Sequence, residues 1–238
     1  MQSILKTIFP NFCLTCDAIV EESGALCGKC WQGTPFISGT ICDTCGAPLP
    51  SGDEMEALHC DDCLLTARPW EQGRAAMLYS ANARRLVLSM KHGDRPELAR
   101  PAARWLYRAM KDITRPDAVL VPVPAHRSRL WARRYNQAAL LAQEIARIGG
   151  MITKPEALIR HQNTPTQEGR TRDARFANLD GAIQPNPRLA QALAGRDVII
   201  VDDVMTSGAT LAATAEACRV AGAARISVAV LARVAKDA

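Results

Sequence analysis

No apolar run in the 238 residues approaches the roughly 18–20 that a membrane-spanning helix needs, so membrane insertion is excluded. The chain has no G-x-G-x-x-G, no G-x-x-x-x-G-K-S/T and no H-E-x-x-H, which leaves dinucleotide, P-loop and metalloprotease readings without support. Residues 1–9 carry Ile4, Leu5, Ile8 and Phe9 at helical spacing, too short for an export leader and without a small-residue cleavage site behind them. A cytoplasmic protein is the expectation. Basic side chains are nearly missing from residues 1–65, where Lys6 and Lys29 face nine acidic groups, a net charge of −7. Residues 66–238 hold 27 basic and 15 acidic groups, net +12, and there cysteine is nearly missing, with only Cys218 beyond residue 64. What is present, 48% hydrophobic and 22% charged residues, supplies a core and excludes a disordered chain.

The length allows one α/β domain and a small accessory module. Charge and cysteine divide the chain into a module over residues 1–65 and a domain over 66–238, expected to be independent of one another. The eight early cysteines form four C-x-x-C pairs: Cys13/Cys16, Cys27/Cys30, Cys42/Cys45 and Cys60/Cys63. Two thiolates at that spacing can face one tetrahedral zinc, and two successive pairs close a Cys₄ site. A disulfide framework conflicts with a reducing cytosol, and four copies of a redox C-x-x-C are hard to justify. Two structural zincs in a double zinc ribbon are expected, with 13/16 joined to 27/30 and 42/45 joined to 60/63, because each ribbon then closes locally. His59 beside Cys60 reads as a bystander. The module's negative charge repels phosphate backbones, which favours a scaffold or protein-docking role.

From residue 118 the pattern alternates strand and helix: Ala118–Pro124, Gln137–Ile148, Asp197–Val201, Thr210–Val220 and Arg225–Leu231. Such alternation predicts a parallel sheet with flanking helices. The informative stretch is Val198-Ile-Ile-Val-Asp-Asp-Val-Met-Thr-Ser-Gly-Ala-Thr210. It delivers Asp202 and Asp203 at a strand's carboxyl end, where α/β sheets place ligands. Thr206, Ser207, Gly208, Ala209 and Thr210 then lead into a helix, whose backbone N–H groups and dipole suit a phosphate monoester. Carboxylates beside an anion cradle suit a ribose 5-phosphate.

That stretch resembles the signature of type I phosphoribosyltransferases, which bind phosphoribosyl pyrophosphate (PRPP). The resemblance implies that Asp202 and Asp203 hold the ribose 2′- and 3′-hydroxyls and that residues 206–210 hold the 5′-phosphate. The wider chain, from residue 9 to about 233, is similar to the competence protein F group of that superfamily. Phe9-Pro10 before the first knuckle carries this, as do Val121–Ala138, Thr164-x-x-Gln167 and Arg175-x-x-Asn178. The loop has Thr-Ser where many transferases have Thr-Thr, and Arg170 stands where the group more usually has an apolar residue. The resemblance implies a link to competence and DNA uptake, and Mg²⁺ bound together with PRPP. Residues 66–116 are expected as a hood over a core of 117–238, with Lys91 and His92 before Gly93-Asp94 as candidate ligand contacts.

Ten basic groups fall between residues 126 and 175, among them Arg127, Arg129, Arg133, Arg134, Arg160, Arg170, Arg172 and Arg175. Arginine's planar fork binds phosphate oxygens bidentately, so Arg127 is a candidate for the pyrophosphate and Arg175 for a closing, catalytic loop. The surplus is either a solvated face or a path for single-stranded DNA. Trp131 and Tyr135 either stack on bases or pack inward as one helix face. Cys218 reads as core. Two classes stay open: a transferase that turns PRPP over, and a silent PRPP- or nucleotide-sensing adaptor whose zinc module docks a DNA-processing protein.

Overall fold

Five short strands, four of them built on apolar runs, pair edge to edge in the computed structural model, which describes residues 10–50, 57–92, 95–128, 135–161 and 181–234. Near the amino terminus, β1 (Asn11–Phe12) and β2 (Ile19–Val20) form a small antiparallel pair, and α1 (Gly28–Gln32) and α2 (Asp61–Leu65) are single helical turns. The main chain then runs through β3 (Gln72–Leu78), α3 (Ala81–His92), α4 (Ala99–Ala109), β4 (Val119–Pro122), α5 (Gln137–Gly149) and β5 (Ile152–Thr153). It ends with β6 (Leu158–Arg160), β7 (Ile183–Pro185), β8 (Asp197–Met205), α6 (Ala209–Val220) and β9 (Arg225–Arg233).

The sheet order is β3-β9-β8-β4-β5 and every pairing is parallel. Period-two alternation in β8 sends Ile199 and Val201 to a core shared with α3, α4 and α5, and Val198 and Ile200 to a core shared with α6. Both faces are covered, which is why the run reads as continuously apolar. The antiparallel β6-β7 pair packs beside α6. Cys218 is fully buried there, and burial pushes its thiol up to about 12, so it is core rather than a reactive group.

Residues 66–116 give the sheet its edge strand β3, with α3 and α4 on one face. One expectation is revised: the zinc-ribbon half is not independent of the rest. Cys42 and Cys45 belong to the α6-side core, while Leu14 enters the opposite one. Gly46, at φ +68°, lies so near the sheet edge that a Cβ would stand 2.7 Å from the Ala75 nitrogen. Short interstrand contacts fix the dock: Ile37 N–H donates to Ala76, Leu78 N–H to Pro35 and Gly73 N–H to Asp43. The buried Arg74 of β3 bridges Asp43 and Asp112 at 2.8 and 2.6 Å.

Candidate functional site

In chain order β4 is followed on one side by β5, and β8 returns to its other side. The strand order therefore reverses between β4 and β8, and the crevice outside their carboxyl ends is where such sheets bind ligands. Val123 N–H donates to the Val201 carbonyl at 2.9 Å, which sets the segment after β4 beside Asp202 and Asp203. Asn136 caps α5 by accepting from Ala138 N–H and donates to the Val123 carbonyl, holding the same corner from the other side.

Asp203 is 8% exposed and its Oδ1 lies 3.2 Å from Lys91 Nζ. Lys91 is placed by the end of α3, whose Met90 carbonyl accepts from Tyr135 Oη and from the buried Gln137 Nε2. Tyr135 thus bonds inward, and the candidate Lys91 stands beside the two aspartates. Asp202 Oδ1 accepts from Asp203 N–H at 2.8 Å. Burial pushes the Asp202 carboxyl up to about 7, Asp203's charge adds to the rise, and Lys91, that N–H bond and Arg160 oppose it. A carboxyl so poised at neutral pH is common where a site awaits a cation or a hydrogen-bonding ligand.

Beyond Met205 the chain turns through Thr206 and Ser207 to Gly208, at φ +81° and ψ 4°, and α6 begins at Ala209. The left-handed glycine lets the strand-to-helix turn close tightly, with Ser207 Oγ accepting from Ala209 N–H at 3.4 Å. The first N–H groups of a helix have no partner within it, so the turn offers donors to an anion. Thr206 is exposed, Ser207 and Thr210 are half-buried, and all lie at one end of the sheet with Asp202 and Asp203. Arg127 is exposed in the segment that follows β4. Arg175, Thr164, Gln167, Arg170, Arg172 and Asn178 lie outside the described residues, as do Phe9, Gly93, Asp94, Arg129, Trp131, Arg133, Arg134 and the His92 side chain.

Reading the sequence missed two arginines that hold this turn from behind. Arg68 Nη1 donates to the Ser207 carbonyl at 2.8 Å, and Arg233 Nη1 donates to the Thr206 carbonyl at 2.8 Å. Arg233 could have been suspected, because a cation ends an otherwise apolar strand. Arg68 carries no such signal.

The cysteines fall into the expected groups, Cys13/16/27/30 and Cys42/45/60/63, with all Sγ atoms of a group within 4.8 Å of one another. A tetrahedron with sulfurs about 2.3 Å from its centre has edges of about 3.8 Å. The Cys16–Cys27 and Cys45–Cys60 Sγ pairs, each at 3.6 Å, match that edge and are far too long for a disulfide. Each group suits one zinc and leaves no protein-free vertex, which makes both sites structural. In each, the third cysteine (Cys27, Cys60) stands at the start of a helical turn and the fourth lies within it. His59 hydrogen-bonds Thr44 Oγ1 and is not a member of either group.

Comparison with known proteins finds two family matches along the chain. Residues 4–64 match the family described as Double zinc ribbon domain, and residues 94–238 match Phosphoribosyl transferase domain. The chain is 31% identical over 233 residues to Competence protein F of Haemophilus influenzae, covering 94% of this chain and 98% of that protein. It is 30% identical over 226 residues to DNA utilization protein YhgH of Escherichia coli K12, covering 92% and 95%. Competence protein ComFC of Bacillus subtilis is 25% identical over 221 residues, covering 84% and 85%.

Proposed function

The chain belongs to the competence protein F family, a double zinc ribbon joined to a phosphoribosyl transferase domain, and on that premise we propose that it binds PRPP or another ribose 5-phosphate compound. The observation that carries the reading is the Asp202–Asp203 pair followed by the Gly208 turn and α6, all at the switch point between β4 and β8. Asp202 and Asp203 accept hydrogen bonds from the ribose hydroxyls. The turn and first N–H groups of residues 206–210 receive the 5′-phosphate. Arg127 stands on the pyrophosphate side, and Arg175 belongs to the loop that would close over it. Mg²⁺, bound with the pyrophosphate near the two aspartates, would neutralise the leaving group's charge. The protein's own part is to hold the ribose in line for attack at the anomeric carbon, while the bond from that carbon to pyrophosphate breaks.

A second reading is a silent sensor or adaptor in DNA uptake or processing. It is favoured by the relatives' names, DNA utilization protein and Competence protein F, which speak of DNA rather than of a base substrate. The net charge of +12 over residues 66–238 suits contact with a polyanion. Any binding of single-stranded DNA by this surface weakens steeply with salt.

Calorimetric titration with Mg²⁺–PRPP tests the site, and labelled PRPP incubated with cell extract separates the two classes. Binding without release of labelled pyrophosphate supports the sensor. A wild-type protein that binds neither PRPP nor ribose 5-phosphate overturns both.

A further inference from the structure

The two Cys₄ groups are alike in sequence but differ in what they touch. The first meets the sheet domain through Asn82, whose Nδ2 donates to the Cys30 carbonyl at 3.0 Å, and through Arg95, which donates to the Leu14 carbonyl. Neither contact leads to the 206–208 turn. The second group reaches that turn twice. Asp62, between the ligands Cys60 and Cys63, pairs with Arg68 Nη2 at 2.8 Å, and Arg68 Nη1 holds the Ser207 carbonyl. Cys45 Sγ lies 4.0 Å from Arg233 Nη2, and Arg233 Nη1 holds the Thr206 carbonyl. The Arg68 side chain is 1% exposed and its guanidinium stands over Trp70, whose Nε1 donates to the Thr44 carbonyl at 2.7 Å. Arg233 is 4% exposed.

We infer that Arg68 and Arg233 are positioning residues that make the second zinc site the support of the phosphate turn, so that zinc there and a ribose 5-phosphate at the turn strengthen each other's binding. The inference deepens the ribose phosphate reading and rests on it for the ligand. The physical chain is short. Four thiolates overbalance one Zn²⁺, so the second site is anionic and holds Arg233 against Cys45. The helical turn between Cys60 and Cys63 exists to present two ligands to one ion, and it carries Asp62. Each arginine also donates from Nη1 to a carbonyl of the turn, Arg68 to Ser207 and Arg233 to Thr206, so both brace the turn that leads into α6. An arginine that lost its acidic partner would be a buried, unpaired cation and would not keep its place. Coupling between two binding events is reciprocal, so each ligand must tighten the other by the same factor.

The test uses the full chain with both zincs bound. Arg68→Ala and Asp62→Asn are compared with wild type and with Asn82→Ala, which cuts the first ribbon's contact. Three quantities are read: ribose 5-phosphate affinity, amide hydrogen exchange at residues 206–210, and the zinc retained against a chelator with and without ribose 5-phosphate. Arg68→Ala is expected to weaken ribose 5-phosphate by about tenfold or more, the scale of one charge-assisted hydrogen bond. Exchange at 206–210 rises in both coupling variants, and Arg68→Lys restores part of the loss. Asn82→Ala stays within about twofold of wild type, against the tenfold per roughly 1.4 kcal/mol that a lost support would cost. In wild type, ribose 5-phosphate protects one of the two zincs from the chelator, and in Arg68→Ala it protects neither. Wild-type binding with Arg68→Ala and Asp62→Asn equally tight, and exchange unchanged, overturns the coupling and leaves the site reading standing. A wild type that ignores ribose 5-phosphate overturns the site reading instead. The reciprocal coupling falls with it, and the exchange arm judges only the support of the turn, faster exchange in the variants supporting it and unchanged exchange refuting it.

Discussion

Lys91 Nζ lies 3.2 Å from Asp203 Oδ1, joining the end of α3 to the carboxyl end of β8. The cation serves two adjacent carboxylates at once, since its charge also draws Asp202 toward ionisation. It is held there by Tyr135 and Gln137, which both donate to the carbonyl of the preceding residue, Met90. If the site takes the anionic sugar phosphate proposed above, such a cation beside two acids would offset their repulsion.

Lys91→Met removes it. Asp202 then holds its proton more firmly, and an anionic ligand loses an attractive charge. Affinity for Mg²⁺–PRPP at neutral pH is expected to fall by about tenfold, equivalent to roughly 1.4 kcal/mol. The deficit is expected to be smaller at pH 8.5, where more of Asp202 is ionised than at neutral pH. Calorimetric titration at the two pH values measures both. A deficit that does not change with pH would mean that Lys91 acts on the ligand alone.

Asp202 has its own signature in stability. Its carboxyl is pushed up to about 7, chiefly by burial, whereas an unfolded chain would leave it near the ordinary value of about 4. Between those values the folded protein holds a proton that the unfolded chain has released. Stability therefore declines as pH rises through that window and levels off above the folded value. Asp202→Asn keeps an oxygen to accept from Asp203 N–H and does not titrate. Its melting temperature should exceed that of wild type at pH 8, with the advantage shrinking toward pH 6. Thermal scans with zinc present decide it, and a constant difference would place the strain elsewhere.

The two zinc sites should fail differently. Cys42 and Cys45 are 0% and 1% exposed and share a core with α6, whereas Cys16 is exposed. Cys42→Ser and Cys16→Ser should each remove one zinc per chain. Only Cys42→Ser should lower the melting temperature of the whole protein, because it opens the shared core. Metal analysis beside thermal unfolding checks this. Equal melting losses would mean that both ribbons are woven into the fold to the same depth.

Much of this was legible in the sequence, for reasons that differ by segment. The run Val198–Val201 reads as a strand because both of its faces are buried, and the C-x-x-C spacings encode their own grouping. Strand β3 was hidden, because Gly73 and Arg74 interrupt its apolar pattern. Arg74 is tolerated only by its partners Asp43 and Asp112, which lie far away in the chain. Arg68 was illegible, and the role of Arg233 was hinted at only by its place at the end of β9, for a related reason. Both act on backbone carbonyls, and nothing in the residue type of Thr206 or Ser207 announces such a partner. The dock of the second ribbon was equally hidden, since it depends on where the sheet edge lies.

Gly208 joins the turn to everything behind it. At φ +81° any side chain is strained, and a Cβ would stand 3.0 Å from Arg68 Nη1 and Met205 Cε and 3.3 Å from Trp70 Cη2. Left-handed backbone costs a residue with a Cβ roughly 1–2 kcal/mol. Gly208→Ala adds that strain and a contact that Arg68 can relieve by moving, but moving loosens its bond to the Ser207 carbonyl. Gly208→Val adds β-branching against Trp70, which is held by its own bond to Thr44. Ribose 5-phosphate affinity should therefore fall in the order glycine, alanine, valine, with the first step about tenfold. Asp202 and Lys91 lie outside this contact set, so the pH dependence of the residual binding should match that of wild type. Calorimetric titration of the two variants across pH 6 to 8.5 measures both quantities. Equal affinity for all three proteins would remove the turn from the phosphate site, while an altered pH profile would mean that the strain reaches β8.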